Sequence, residues 1–151
     1  MSRVVFLDTG VLGLITHPQA GATATGCVNW LLGLLGTGAR ICVPEICDYE
    51  LRREYLRRNS TAALARLDQL NRSIEYVAIN TQTMNHAATL WADARNSGHV
   101  TADPQALDGD VILAAQPQLF ASADDQVVVA TTNVGHLAHF VAASTWQEIS
   151  A

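Results

Sequence analysis

The chain has 151 residues, of which 49% are hydrophobic and 15% charged, a balance too apolar for disorder and suited to one domain with a buried core. Its formal net charge of -5 does not advertise nucleic-acid binding, which ordinarily shows a basic face. The longest apolar stretch, Cys27 to Leu35, falls far short of the ~20 residues a membrane span needs, and the opening run reaches Asp8 too soon for a signal peptide. These features lead to the expectation of a cytoplasmic protein without a membrane anchor. Three cysteines, Cys27, Cys42 and Cys47, give an odd count without a C-x-x-C pair and read as core residues of a reducing compartment.

Arg3 to Leu7 is a short apolar run rich in β-branched residues and bounded by Asp8-Thr9-Gly10, which predicts a buried first strand. Val11 to Ile15 starts a short helix that must stop before His17-Pro18. Thr23 to Leu35 is a helix ended by Gly36-Thr37-Gly38, and Arg40 to Val43 is a second strand. Pro44 suits the first turn of a helix running to about Arg58. Ser60 or Thr61 caps the next helix, which carries Leu64, Leu67 and Leu70 to about Asn71. Ile74 to Ile79 is a third strand, followed by a helix from Gln82 to Asn96 capped by Thr81. Gly98 to Asp108, including Asp103, reads as a loop; Asp108 then caps a helix from Gly109 to Gln116, stopped by Pro117. Asp124 and Asp125 are turn residues before a fourth strand, Val127 to Ala130, and a short helix to Phe140 follows. Thr145 to Ile149 adds an edge strand.

Strands that are apolar runs, alternating with helices, predict an α/β domain spanning residues 1–151 with a mainly parallel sheet of four to five strands covered on both faces. Ligands of such sheets bind beyond the carboxyl ends of the strands. Asp8 follows the first strand, Asn133 follows the fourth, and Glu50 and Asp110 lie on helices that can start near the same edge. Carboxylates gathered there repel one another unless a cation joins them. A hard ion such as Mg2+ or Mn2+ suits oxygen ligands and can neutralise a phosphate in transit.

Each of these acids also has a structural use. Asp8 can cap the following helix, Glu50 can pair with Arg53, and Asp110 suits the positive end of a helix. Arg52, Arg53, Arg57 and Arg58 cluster in a chain that has no lysine; they form either a solvated helix face or a phosphate-binding patch. His136 and His139 stand at helical spacing, but no cysteine or H-E-x-x-H completes a zinc set. His136 is a candidate for touching substrate or a surface residue.

Four segments together resemble the PIN-domain nucleases, including VapC-type toxin ribonucleases. They are Val4-Val5-Phe6-Leu7-Asp8-Thr9-Gly10-Val11-Leu12, Val43-Pro44-Glu45-Ile46 through Tyr49-Glu50-Leu51, Asp108-Gly109-Asp110-Val111-Ile112-Leu113-Ala114-Ala115, and Val128-Val129-Ala130-Thr131-Thr132-Asn133-Val134-Gly135-His136-Leu137. The resemblance implies a three-layer α/β/α PIN-like fold and Mg2+- or Mn2+-dependent hydrolysis of RNA by a metal-activated water. It implies that Asp8, Glu50 and Asp110 bind metal, that Thr9 and Thr132 orient carboxylates or water, and that Asp108 supports the site. Asn133 stands where the family often has Asp, a departure that weakens attraction for a second ion. The resemblance further implies an antitoxin partner and a homodimer, for which the helices Thr23 to Leu35 and Glu45 to Arg72 offer apolar faces. Arg52, Arg53, Arg57 and His136 are the candidate RNA contacts.

Two other readings compete. A haloacid-dehalogenase phosphatase also opens with strand–Asp, but needs a second Asp where this chain has Gly10 and a lysine it lacks. A PIN-fold module that binds RNA or protein without cutting is favoured by Asn133 and the acidic charge, and opposed by Asp8, Glu50 and Asp110.

Overall fold

The computed structural model describes residues 2–17, 21–98 and 104–151, with backbone alone at 104–106. Five strands, β1 (Arg3–Leu7), β2 (Arg40–Pro44), β3 (Glu75–Val77), β4 (Gln126–Thr131) and β5 (Ala143–Thr145), form one sheet in the order β3-β2-β1-β4-β5, and every pairing is parallel. The helices are α1 (Thr9–Thr16), α2 (Ala22–Gly36), α3 (Glu45–Arg57), α4 (Thr61–Ser73), α5 (Thr81–Asn96) and α6 (Pro104–Phe120). The architecture is an α/β one, a five-stranded parallel sheet flanked by helices, as expected.

β1 is the central strand, and its Val4, Val5, Phe6 and Leu7 are all fully buried. A strand covered on both faces has no need of polar alternation, which is why it reads as a continuous apolar run. The main core joins these residues to Leu12, Leu34, Ile41, Leu67 and Val129. A smaller cluster of Ala87, Leu107, Val111 and Ala115 binds α5 to α6.

The strand order places the topological switch between β1 and β4, since the chain runs from β1 outward to β3 and returns to start β4 on the other side of β1. Asp8 continues the ladder by donating its amide to the Ala130 carbonyl at 3.0 Å. The residues just after β1 and just after β4 are therefore side by side.

Several expectations change. Pro44 ends β2 instead of opening the helix; it occupies the N-cap position of α3 and offers no side-chain cap. α5 is capped by Asn80, not Thr81: the Asn80 side chain accepts from Thr83 N at 2.8 Å, and Thr83 answers as a capping box. β3 is only three residues long and largely exposed, as an edge strand can be. β5 ends at Thr145, and the segment expected to extend it, from Trp146, is a one-turn helix. Ser60 stands at the N-cap of α4 without a side-chain bond.

The largest change is in α6. It begins at Pro104 and runs through Pro117 to Phe120, so the expected loop is helix from residue 104 onward, while residues 99–103, Asp103 among them, lie outside the described residues. A proline inside a helix deletes one backbone bond and crowds the preceding turn. Here burial of Leu113, Ala114 and Ala115 outweighs that cost. Asp108 is consequently not a helix cap, and Asp110 lies in the second turn of α6, not the first.

Candidate acidic site at the switch point

Asp8 leaves β1 in extended backbone and caps α1, its Oδ1 accepting from Val11 N at 3.2 Å. Its other oxygen, Oδ2, accepts a short hydrogen bond from the Thr131 hydroxyl at the end of β4. The same hydroxyl accepts from the Asn133 amide at 3.1 Å, so Thr131 ties the β4 exit loop to Asp8. Capping and membership of the site are thus not alternatives; one carboxylate does both.

Thr9 donates its hydroxyl to Glu50 Oε1 at 3.0 Å, which links the start of α1 to α3. The other Glu50 oxygen reaches α6: a Cβ added to Gly109 would lie 3.2 Å from Glu50 Oε2. Asp110 follows directly, and its carboxyl is raised above the ordinary range by burial first and then by the charges of Glu50 and Asp8, while His136 pulls it the other way. Asp8 is raised as well, by burial, against the lowering effect of its bonds with Thr131, Val11 and Gly10. Asp8, Glu50 and Asp110, drawn from β1, α3 and α6, are therefore electrostatic neighbours at the carboxyl end of the sheet.

Beneath them lies Cys47, fully buried. Burial holds its thiol well above the usual range, the charges of Asp8 and Glu50 add to that, and bonds with Thr9 oppose it. A thiol kept protonated in this way is an inert floor to the site.

Two glycines let the parts approach. A Cβ on Gly10 would stand 2.4 Å from the Thr132 hydroxyl, so any side chain there would force Thr132 to move. Gly109 gives Glu50 its room in the same way. Thr132 is exposed and packs on Gly10; the threonine that bonds Asp8 is its neighbour Thr131. The β1–β4 register, with Leu7 opposite Ala130, is the signal that singles it out.

Asn133 and His136 are exposed on the loop after β4, Gly135 between them turning at φ 48, and Asp108 is exposed on α6. His136 also stacks on His139, with ring centroids 6.1 Å apart.

The arginine cluster divides. Arg52 donates to Asp48 at 3.0 and 3.1 Å and to Asp68 at 2.8 Å, and Asn71 completes the network with a 2.7 Å bond to Asp48. Arg57 and Arg58 both pair with Glu54. Arg53, the alternative partner for Glu50, lies over the exposed ring of Tyr49, 5.1 Å from its centroid. Of the expected RNA contacts on α3, Arg52 and Arg57 are thus engaged in ion pairs within the protein.

The donor set is hard oxygen, which matches Mg2+ or Mn2+ and not a thiolate metal. Among the described residues, no group of three or more acids, imidazoles or thiols is placed to hold a metal ion as the side chains lie. The three acids are adjacent and mutually repelling, and this is the condition that an added cation relieves.

No family model matches the sequence, and no curated protein does. Solved structures do match in fold. One is the crystal structure of VapBC2 from Rickettsia felis bound to a DNA fragment from their promoter, at a TM-score of 0.70, with 13% identity over 95% of this chain and 98% of that one. A second is FitAcB from Neisseria gonorrhoeae, at a TM-score of 0.68, with 20% identity over 96% of this chain and 99% of that one. A third is VapBC-1 from nontypeable Haemophilus influenzae, at a TM-score of 0.67 and 13% identity over 96% and 99% of the two chains. Identities this low speak for architecture, and nearly end-to-end coverage says that the whole chain shares it: the protein has the PIN-like fold of the VapC-type chains in these structures.

Proposed function

We propose that the protein is a Mg2+- or Mn2+-dependent endoribonuclease, the toxin of a toxin–antitoxin pair. The observation that carries this reading is the bridge made by Glu50, bonded to Thr9 beside Asp8 on one side and lying against Gly109 beside Asp110 on the other. Thr9 and Gly109 are the chain neighbours of Asp8 and Asp110, and the bridge lies near the sheet's switch point, where ligands of open parallel sheets bind. The fold shared with the VapBC structures supports the toxin reading and an antitoxin partner; a homodimer remains an expectation of the same resemblance.

Asp8, Glu50 and Asp110 would hold the ion, which would supply charge neutralisation of the phosphate and a more acidic bound water. Thr131 and the Val11 amide fix the two oxygens of Asp8, so that carboxylate is oriented before any ligand arrives. Thr9 does the same for Glu50. Burial keeps Asp8 and Asp110 from bulk water, which strengthens their attraction for a cation. Asn133 and His136, exposed at the rim, are placed to meet the substrate's backbone or base. Arg53 is the α3 arginine best suited to an RNA contact.

The test is cleavage of a mixed RNA pool by purified protein with and without Mn2+, with Asp8→Asn alongside. Equal behaviour of the two proteins would rule out this chemistry. A second reading, a PIN-fold binding module that does not cut, is favoured by Asn133 and by the absence, among the described residues, of three or more side chains placed to hold a metal; RNA retention without cleavage in the same assay would select it.

A further inference from the structure

α3 lacks a cap of its own. Its N-cap residue is Pro44, which has no side-chain oxygen, so the first amides of the helix need partners from elsewhere. One is supplied by another helix. Gln116 of α6 is 1% exposed, and its Oε1 accepts from Ile46 N at 3.2 Å, while its Nε2 donates to the Val77 carbonyl at the end of β3 at 2.7 Å. Both ends of a buried amide are thus spent on backbone groups of two other elements. A buried amide is costly to leave unpaired, so this arrangement specifies one alignment of the elements it joins.

That alignment matters because of what each helix carries. Glu50 lies four residues, about one turn, beyond Ile46 on α3. Asp110 lies six residues, roughly 9 Å at 1.5 Å per residue, before Gln116 on α6. Apolar packing between α3 and α6 tolerates small slides, since dispersion contacts are individually weak and not directional. A two-ended hydrogen bond does not. The next residue, Pro117, removes one of the bonds with which α6 would hold its own geometry at this point.

We propose that Gln116 is a positioning residue of the acidic site, an interhelical cap that sets the axial register of α6 on α3 and so keeps Asp110 beside Glu50. Its importance for metal binding rests on the proposed nuclease reading; the register itself does not.

The experiment separates the two. Nitroxide labels are placed on exposed positions of the two helices through Leu56→Cys and Leu119→Cys, the native cysteines being buried. The label-to-label distance distribution is measured without metal, and Mn2+ binding is measured by titration. Gln116→Met, of similar length but without donor or acceptor, is expected to shift or broaden the distances and weaken Mn2+ binding about tenfold, within the range for groups that orient metal ligands. Gln116→Glu keeps the acceptor for Ile46, loses the donor to Val77 and is expected to fall between; it decides the matter if Gln116→Met does not fold. Leu67→Ala, in the core at α4, lowers stability and is expected to change neither readout. Unchanged distances in both Gln116 variants would overturn the proposal. Altered distances in a protein whose wild type binds no Mn2+ would uphold the register and discard the metal reading.

Discussion

Asp48 and Glu50 stand two residues apart on α3 and live in opposite electrostatic worlds. Asp48 is buried and fully matched, taking two bonds from Arg52 and one from Asn71, with Asp68 closing the network towards α4. Glu50 accepts from a neutral hydroxyl and raises the carboxyl of Asp110 by its charge. The arginine ion pairs of the described residues go to Asp48, Asp68, Glu54 and Glu75, not to the acids at the switch point. Acids matched by arginine fasten helices together; acids set among acids repel until a proton or a cation joins them. The difference separates acids that tie helices together from acids that have no arginine partner among the described residues.

Breaking the comparison at the binding end has the largest expected effect. Asp8→Asn should reduce Mn2+-dependent cleavage by about 10²-fold or more while the protein stays folded, as read by initial rates and circular dichroism. At the fastening end, Asp48→Ala should leave Arg52 and Asn71 without their shared partner. The expected loss is about 1–3 kcal/mol of stability in denaturant titration, with cleavage by the folded fraction unchanged. A large loss of activity there would erase the distinction between the two ends.

Gly109→Ala sharpens it. The added methyl would stand 3.2 Å from Glu50 Oε2 and force that carboxylate to give way, yet alanine is a better helix residue than glycine by about 1 kcal/mol. Weaker Mn2+ binding together with an equal or higher melting temperature is the expected pair of results. Unchanged Mn2+ binding would show that Glu50 needs no such room.

The smallest effect concerns pH. Asp8 and Asp110 are raised from an ordinary value of 3.8, so the folded state holds their protons more tightly than the unfolded chain does. Their contribution to stability is full below that value and is lost as pH rises through their folded values. Metal-free Asp110→Asn should therefore be slightly more stable than wild type at neutral pH, with the gap closing on acidification. Wild-type protein should bind Mn2+ less tightly as pH falls, because protons compete for the same oxygens.

Much of this was legible without coordinates. The apolar runs of β1 and β4 and the acids directly after β1 and on α3 announce a covered parallel sheet with a polar edge. The reach of α6 was not legible: local rules end a helix at Pro117 and open one at Asp108, and burial of Leu113 to Ala115 overrides both. Thr131 was hidden for a different reason. Two adjacent threonines are indistinguishable in sequence, and only the register of β4 on β1 says which one faces Asp8. The arginines were left with two readings because a cluster of four on and just after α3 says nothing of the acid on α4 that pairs with Arg52.

What the sequence determined by itself is the order of elements and the kinds of atoms at the sheet's edge. Both follow from periodicity and from side-chain chemistry, which are local. The tertiary structure decided which acids meet and which are neutralised, since Asp48 and Glu50 differ only in what distant segments bring to them. It also decided that a glutamine on α6 completes a helix opened by a proline. Such choices depend on contacts between residues dozens of positions apart, and no local pattern encodes them.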